Sequence, residues 1–187
     1  MGKPGKLVVV TGPSGVGKST MVREALKRTG AGFSVSVTTR PPRGDETDGR
    51  EYRFVDRPAF EAMIRGGVLL EWAEVFGELY GTPAAPVRDA IASGKTMVLE
   101  IDVEGGRQVR EKMPDATCVL ICPPDEGSLT ERLTRRGSET PDSMRTRMDR
   151  ASVEIAAARA MGVYNHEIIN DNLETAIRQL VDIVNQE

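Results

Sequence analysis

The chain has 187 residues, enough for one domain with a substantial hydrophobic core. Hydrophobic residues make up 39%, charged residues 28% and aromatics only 4%, so Val, Ile, Leu, Ala and Met should fill that core. A formal net charge of −3 argues against a general nucleic-acid binder, and two cysteines with a single histidine, His166, argue against a structural metal centre.

Lys3 and Lys6 precede an apolar run too short for a signal peptide or a membrane span, so a reducing, cytosolic setting is expected. That run, Leu7-Val8-Val9-Val10-Thr11, reads as a buried strand. It leads into Gly12-Pro13-Ser14-Gly15-Val16-Gly17-Lys18-Ser19-Thr20, which fits the G-x-x-x-x-G-K-[ST] pattern of a P-loop, and a helix is expected over 17–28. In a strand–turn–helix of this kind the backbone N–H groups of the turn and the helix start point at one spot, where phosphate can sit. Lys18 adds a mobile charge for the outer phosphates. The Ser19 hydroxyl is placed to reach Mg²⁺, directly or through water. A chance Gly-rich turn would lack both flanking elements.

Residues 33–39 alternate and are β-branched, which predicts a strand; 40–50 form a charged loop punctuated by Pro and Gly. Arg40 and Arg43, three apart on a Pro-stiffened loop, can grip one phosphate, and Tyr52 can add a hydroxyl donor. Taken alone, such a pair is also what a solvated basic loop looks like. A short strand at 51–55 follows, then a helix at 57–65 that Asp56 can cap, a strand at 68–76, a turn at 80–83 and a helix at 85–92. Glu71 lies on the 68–76 strand. A fixed carboxylate accepts two hydrogen bonds from adjacent N–H groups, an edge that guanine offers in N1–H and N2–H₂ and adenine does not. The plainer reading is a surface Glu on a half-buried strand.

A buried strand at 96–101 delivers Asp102, either as a Walker-B-like carboxylate facing Mg²⁺ or as the cap of a helix at 105–113. The strand at 116–122 carries Cys118 and Cys122, read as core fillers because a disulfide within one short strand is geometrically poor. A helix at 125–136 ends at Gly137, and a long one runs from Pro141 to about Met161. A strand at 164–169, a turn and cap at 170–172, and a last helix with Leu173, Ile177, Leu180, Val181 and Val184 in helical period complete the chain. Arg132, Arg135, Arg136, Arg145 and Arg147 lie on and between the two helices flanking Gly137. A mobile segment that brings arginines over a site supplies positive charge in the transition state and keeps water out. The alternative is a charged helix face pairing them with Glu131, Asp142 and Asp149. His166 is expected at an exposed or edge position with no catalytic part. Strands alternating with helices predict an α/β fold with a mainly parallel sheet flanked by helices, interrupted by a β-rich insertion at about 34–96.

In order and spacing, these clusters resemble the guanylate kinase family over residues 6–184. The P-loop, Ser36-Val37-Thr38-Thr39-Arg40-Pro41-Pro42-Arg43 with Gly49 and Tyr52, and Glu71-Trp72-Ala73-Glu74 with Tyr80-Gly81-Thr82 carry the resemblance. So do Glu100-Ile101-Asp102-Val103-Glu104-Gly105 and the arginines from Arg132 to Arg147. The resemblance implies one domain, 4–185, in three parts: a P-loop NTPase core (about 4–33, 97–124 and 163–185), a GMP-binding insertion (about 34–96) and a helical lid (about 125–162). It implies transfer of a phosphoryl group from ATP to GMP with Mg²⁺, in cytoplasmic purine nucleotide metabolism, with neither nucleic acid nor membrane as a partner. By matching positions, Gly12, Ser14, Gly15, Val16, Gly17, Lys18, Ser19 and Thr20 would bind ATP, with Arg132 and Asn170 near it. Arg40, Arg43, Tyr52 and Tyr80 would hold the GMP phosphate; Ser36, Glu71, Thr82 and Asp102 would read guanine. Lys18, Arg40, Arg136 and Arg147 would be catalytic.

Two departures from the family pattern bear on affinity: Asp45 replaces a usual glycine, and Gly106 sits where a larger residue is commoner. The rival reading is an inert interaction module of the same fold. Such a module has no physical use for an intact set of Gly17, Lys18, Ser19, Arg40, Arg43, Arg136 and Arg147.

Overall fold

Five apolar or β-branched residues in succession form β1 (Leu7–Thr11), and all five are buried, as suits a strand covered on both faces. The computed structural model describes residues 5–75, 77–125, 127–129 and 141–186, with 141–150 described as backbone only. After β1 the chain forms α1 (Lys18–Thr29), β2 (Gly32–Phe33), β3 (Ser36–Thr38), β4 (Tyr52–Phe54), α2 (Arg57–Arg65), β5 (Leu69–Val75) and β6 (Glu78–Pro83). Then come α3 (Ala84–Ala92), β7 (Met97–Glu100), α4 (Val103–Lys112), β8 (Thr117–Cys122), α5 (Pro141–Met161), β9 (His166–Ile169) and α6 (Leu173–Asn185).

The first sheet has the order β2-β7-β1-β8-β9, and every pairing in it is parallel. Strand alternation sends Val8, Val10, Val119 and Ile121 to one face, against Met21, Val22 and Ala25 of α1 and Ile177 and Leu180 of α6. Leu7, Val9, Leu99 and Cys118 go to the other, against Val87 of α3 and Val109 of α4. Both cysteines are free and buried, and burial pushes their thiols up, Cys122 to about 12; they fill the core as expected. His166 lies on the edge strand β9, half-buried.

The second sheet, β4-β3-β6-β5, is built from the middle of the chain. Here β3 and β4 are parallel, whereas β6 is antiparallel to both β3 and β5. Its core is small: Val37, Phe60, Leu69 and Leu79, closed by α2. Asp56 caps α2 as predicted, accepting from Ala59 N–H at 2.8 Å.

Two expectations are corrected. The stretch 33–39 is not one strand; Phe33 pairs with Val98 in the first sheet and Ser36–Thr38 pairs in the second, so the chain changes sheets between them. Residues 80–83 are not a turn but the second half of β6. The glycine that suggested a turn, Gly81, is needed for close packing, since a Cβ there would lie 2.9 Å from the Glu71 carbonyl and 3.1 Å from the Phe60 ring. The turn sits earlier, at Gly77, whose φ of 81° suits glycine.

Gly106 has a similar role. A Cβ on it would come within 2.7 Å of Thr11 Cγ2 and 3.3 Å of the Tyr164 hydroxyl, to which Thr11 donates at 3.0 Å. The small residue lets the first turn of α4 rest on the end of β1. Asp45 is exposed on the β3–β4 loop. Among the described residues no helix is long and apolar enough to cross a membrane. Residues 127–129 are helical; the remainder of the helix expected at 125–136, with Gly137, lies outside the described residues.

Candidate active site

The loop between β1 and α1 places Gly12, Gly15 and Gly17 at φ values of 142°, 85° and 100°. Gly12 also has no room for a side chain, because its Cβ would lie 2.3 Å from the Ile121 carbonyl on β8. Lys18 Nζ donates to the carbonyls of Gly12 and Pro13 at 2.6 and 3.0 Å, so the ammonium lies inside the curl of the loop. Ser14 and Ser19 are exposed and Thr20 half-buried, whereas the Val16 side chain is core and offers only its backbone to a ligand. Ser19 Oγ donates to Glu100 Oε1 at 2.5 Å. The strand-end carboxylate that meets the P-loop is therefore Glu100, at the end of β7. Asp102 instead caps α4, accepting from Gly105 N–H at 2.6 Å.

Asn170 lies at the other side of the loop, 3% exposed. Its amide donates to the Val16 carbonyl at 2.8 Å, and a Cβ on Gly17 would fall 2.6 Å from its nitrogen. The structure places Asn170 behind the P-loop, where it holds the backbone in shape.

On the second sheet, Arg40 is 7% exposed and forms a two-pronged bond with Glu46, at 2.9 Å through each terminal nitrogen. Glu46 also accepts from Arg43 N–H at 2.8 Å, so one carboxylate ties both arginines into the loop. The Arg40 guanidinium stands 5.4 Å from the Tyr52 ring centre and 5.9 Å from that of Phe54. Tyr52 and Tyr80 meet edge-on at 5.8 Å. Glu46 raises the Arg40 pKa and Tyr80 adds to that rise, while Arg40 holds the Glu46 carboxyl below its usual range. Burial raises the Tyr52 phenol, and the Glu100 carboxylate raises it further.

The remaining predicted residues converge beside α4. Glu71 is 4% exposed and accepts from the Thr82 hydroxyl at 2.5 Å; Ser36 Oγ lies 3.5 Å from that hydroxyl. Burial pushes the Glu71 carboxyl up to about 7, with the Thr82 hydrogen bond opposing and the Asp102 charge reinforcing the shift. A Cβ on Gly105 would fall 2.7 Å from Glu71 Oε2 and 3.2 Å from Asp102 Oδ1. Glycine at the start of α4 is what lets the two carboxyl groups share one small space.

A family model described as guanylate kinase matches residues 4–187. The chain belongs to the guanylate kinase family. A guanylate kinase of Nocardia farcinica is 50% identical over 97% of this chain and 94% of its own length. One of Thermus thermophilus is 43% identical over 100% of this chain and 82% of its own. The crystal structure of a guanylate kinase from Anaplasma phagocytophilum superposes with a TM-score of 0.76, at 30% identity, covering 98% of this chain and 86% of that one.

Of the residues that the guanylate kinase resemblance singled out, Arg132 and Arg136 lie outside the described residues, and Arg147 is described only as a backbone position on α5. Two neighbours of the site went unassigned in the sequence. Glu46 stands in the cluster with Arg40, Arg43 and Tyr52, but nothing in the sequence assigned it a role of its own. Glu100 could have been found, because it stands two residues before Asp102 at the end of the buried strand, where a Walker-B carboxylate is expected.

Proposed function

We propose that this guanylate kinase family member transfers the γ-phosphoryl group of ATP to GMP, giving ADP and GDP. The observation that carries the reading is Glu71. It is a buried carboxyl that accepts from the Thr82 hydroxyl, with Ser36 beyond that hydroxyl and the Asp102 carboxylate close by. An ionised carboxylate there pairs with guanine N1–H and N2–H₂, and adenine would leave it unpaired.

The donor phosphates lie on the P-loop N–H groups, with Lys18 moving from the loop carbonyls onto the outer phosphates. The Ser19 hydroxyl and Glu100 carboxylate, hard oxygen groups in contact, are the residues that would hold a Mg²⁺ ion accompanying ATP. Such an ion would supply charge neutralisation to the donor phosphates. Arg40, Arg43, Tyr52 and Tyr80 hold the acceptor phosphate. Its oxygen is already anionic, so attack at the γ-phosphorus needs no strong general base, and the bond to the β–γ bridging oxygen breaks to release ADP. Arg136 and Arg147 are the groups we assign to the transferring phosphoryl in a lid over about 125–162, with Arg132 near ATP. The expected setting is cytoplasmic purine nucleotide metabolism.

ADP formation from ATP with each nucleoside monophosphate in turn tests the substrate. Turnover with GMP far above that with AMP, CMP or UMP is expected; turnover with another but not GMP overturns the specificity. Lys18→Ala should lower kcat by about 100-fold or more. Normal turnover by that variant would mean that the P-loop does not hold the transferred group.

A further inference from the structure

We infer that Gln108 is a positioning residue for guanine recognition: its carboxamide clamps the edge of β5 at Trp72, so that the neighbouring Glu71 is held toward the base. The inference rests on the reading that GMP is the acceptor.

β5 is the outermost strand of the second sheet, with β6 on only one side. Its register against β6 breaks immediately before Glu71. Leu69 pairs with Pro83 and Glu71 with Thr82, so Leu70 is the extra residue of a bulge. A bulge re-aims the side chains beside it, and the ladder alone does not fix their direction. The side chain that must point accurately therefore sits where the sheet holds it least.

Helix α4 makes up the deficit from the open side. Gln108 Nε2 donates to the Trp72 carbonyl at 2.8 Å, and Trp72 N–H donates to Gln108 Oε1 at 3.2 Å. One side chain thereby stands in for a missing neighbouring strand. Lys112 Nζ donates to the carbonyl of the bulged Leu70 at 2.7 Å. Gly105 leaves the space into which Glu71 Oε2 projects. Positions 105, 108 and 112 are spaced by three and four residues, so they form one stripe along the helix facing β5. The Trp72 indole is 38% exposed and does not bury the strand at this point. On this open side the backbone that flanks Glu71 is held by the carboxamide of Gln108 after it and the Lys112 ammonium before it.

The test is steady-state kinetics of the full chain with GMP and with IMP, whose base lacks the 2-amino group. Gln108→Met keeps the volume and removes both bonds. It should raise KM for GMP about tenfold, the cost of two modest hydrogen bonds, and narrow the preference for GMP over IMP. KM for ATP should stay within about twofold, since the P-loop lies on the other sheet. Gln108→Leu likewise removes both bonds and should show the same changes, and it serves if the Met variant does not fold. Unchanged KM and preference in both variants, or equal rises in KM for ATP and GMP, would overturn the inference while leaving the proposed reaction intact. Absence of GMP turnover in the wild type would remove the reaction itself, and the inference with it.

Discussion

On the proposed reading, Glu71 trades stability for recognition. A carboxyl whose folded pKa is about 7, above a reference of 4.5, binds its proton more tightly in the folded state. Its contribution to stability is complete below the unfolded value and disappears as pH rises through the folded one. The whole swing is roughly 3 kcal/mol. Glu71→Gln keeps the shape and a partner for Thr82 but carries no charge to bury. It should melt several degrees higher than wild type at about pH 8 and converge with it in acid, by thermal denaturation across pH. The same variant should lose most of its use of GMP, because an amide presents a donor where guanine needs an acceptor. In the wild type, kcat/KM for GMP should fall about tenfold per pH unit below about pH 7. A flat profile would show that Glu71 is not the group guanine needs ionised.

Elements are held together by side chains whose importance sequence patterns do not announce. The β3–β4 loop is the clearest case, since Glu46 binds the Arg40 guanidinium and the Arg43 amide at once. Glu46→Ala should release both arginines and raise KM for GMP by about tenfold or more, with little change in KM for ATP. Equal KM values in variant and wild type would mean that the loop keeps its shape without the carboxylate. The P-loop was legible in the chain because glycine spacing, a preceding apolar run and a following helix coincide in sequence. The parallel sheet was legible for the same reason: its strands are continuous apolar runs, as in β1 and β8. Gln108 was not, because its partner is reached only when the chain folds back: it meets Trp72 across 36 positions of sequence. Glu46 stood beside the arginines in the sequence, but a charged loop does not say which carboxylate will bind which cation. Gly81 misled because a glycine for close packing and a glycine for a turn look alike until the Phe60 ring is in place. The sheet change between Phe33 and Ser36 was hidden by side chains that suit either sheet.

At the scale of the whole molecule, two sheets of unequal strength meet at α4. The parallel sheet is packed on both faces by apolar clusters and helices, whereas the second sheet rests on Val37, Phe60, Leu69 and Leu79. Local opening should therefore be easier in the second sheet. In native-state hydrogen exchange, amides of β3, β5 and β6 should exchange faster than those of β1 and β8. GMP should slow the faster set more than the slower one, because ligand binding stabilises the state that holds it. Uniform exchange across both sheets would mean that they open as a single unit.

The buried Glu71 has a consequence for fidelity. An ionised carboxylate offers two acceptors, the complement of guanine. Once protonated, the same group offers one hydroxyl donor beside one carbonyl acceptor, the complement of adenine N1 and its 6-amino group. If Glu71 reads the base as proposed, a changeover at about 7 gives the site a different hydrogen-bonding face on either side of neutrality. Lowering the pH through that range should therefore raise kcat/KM for AMP relative to GMP as well as slow the enzyme.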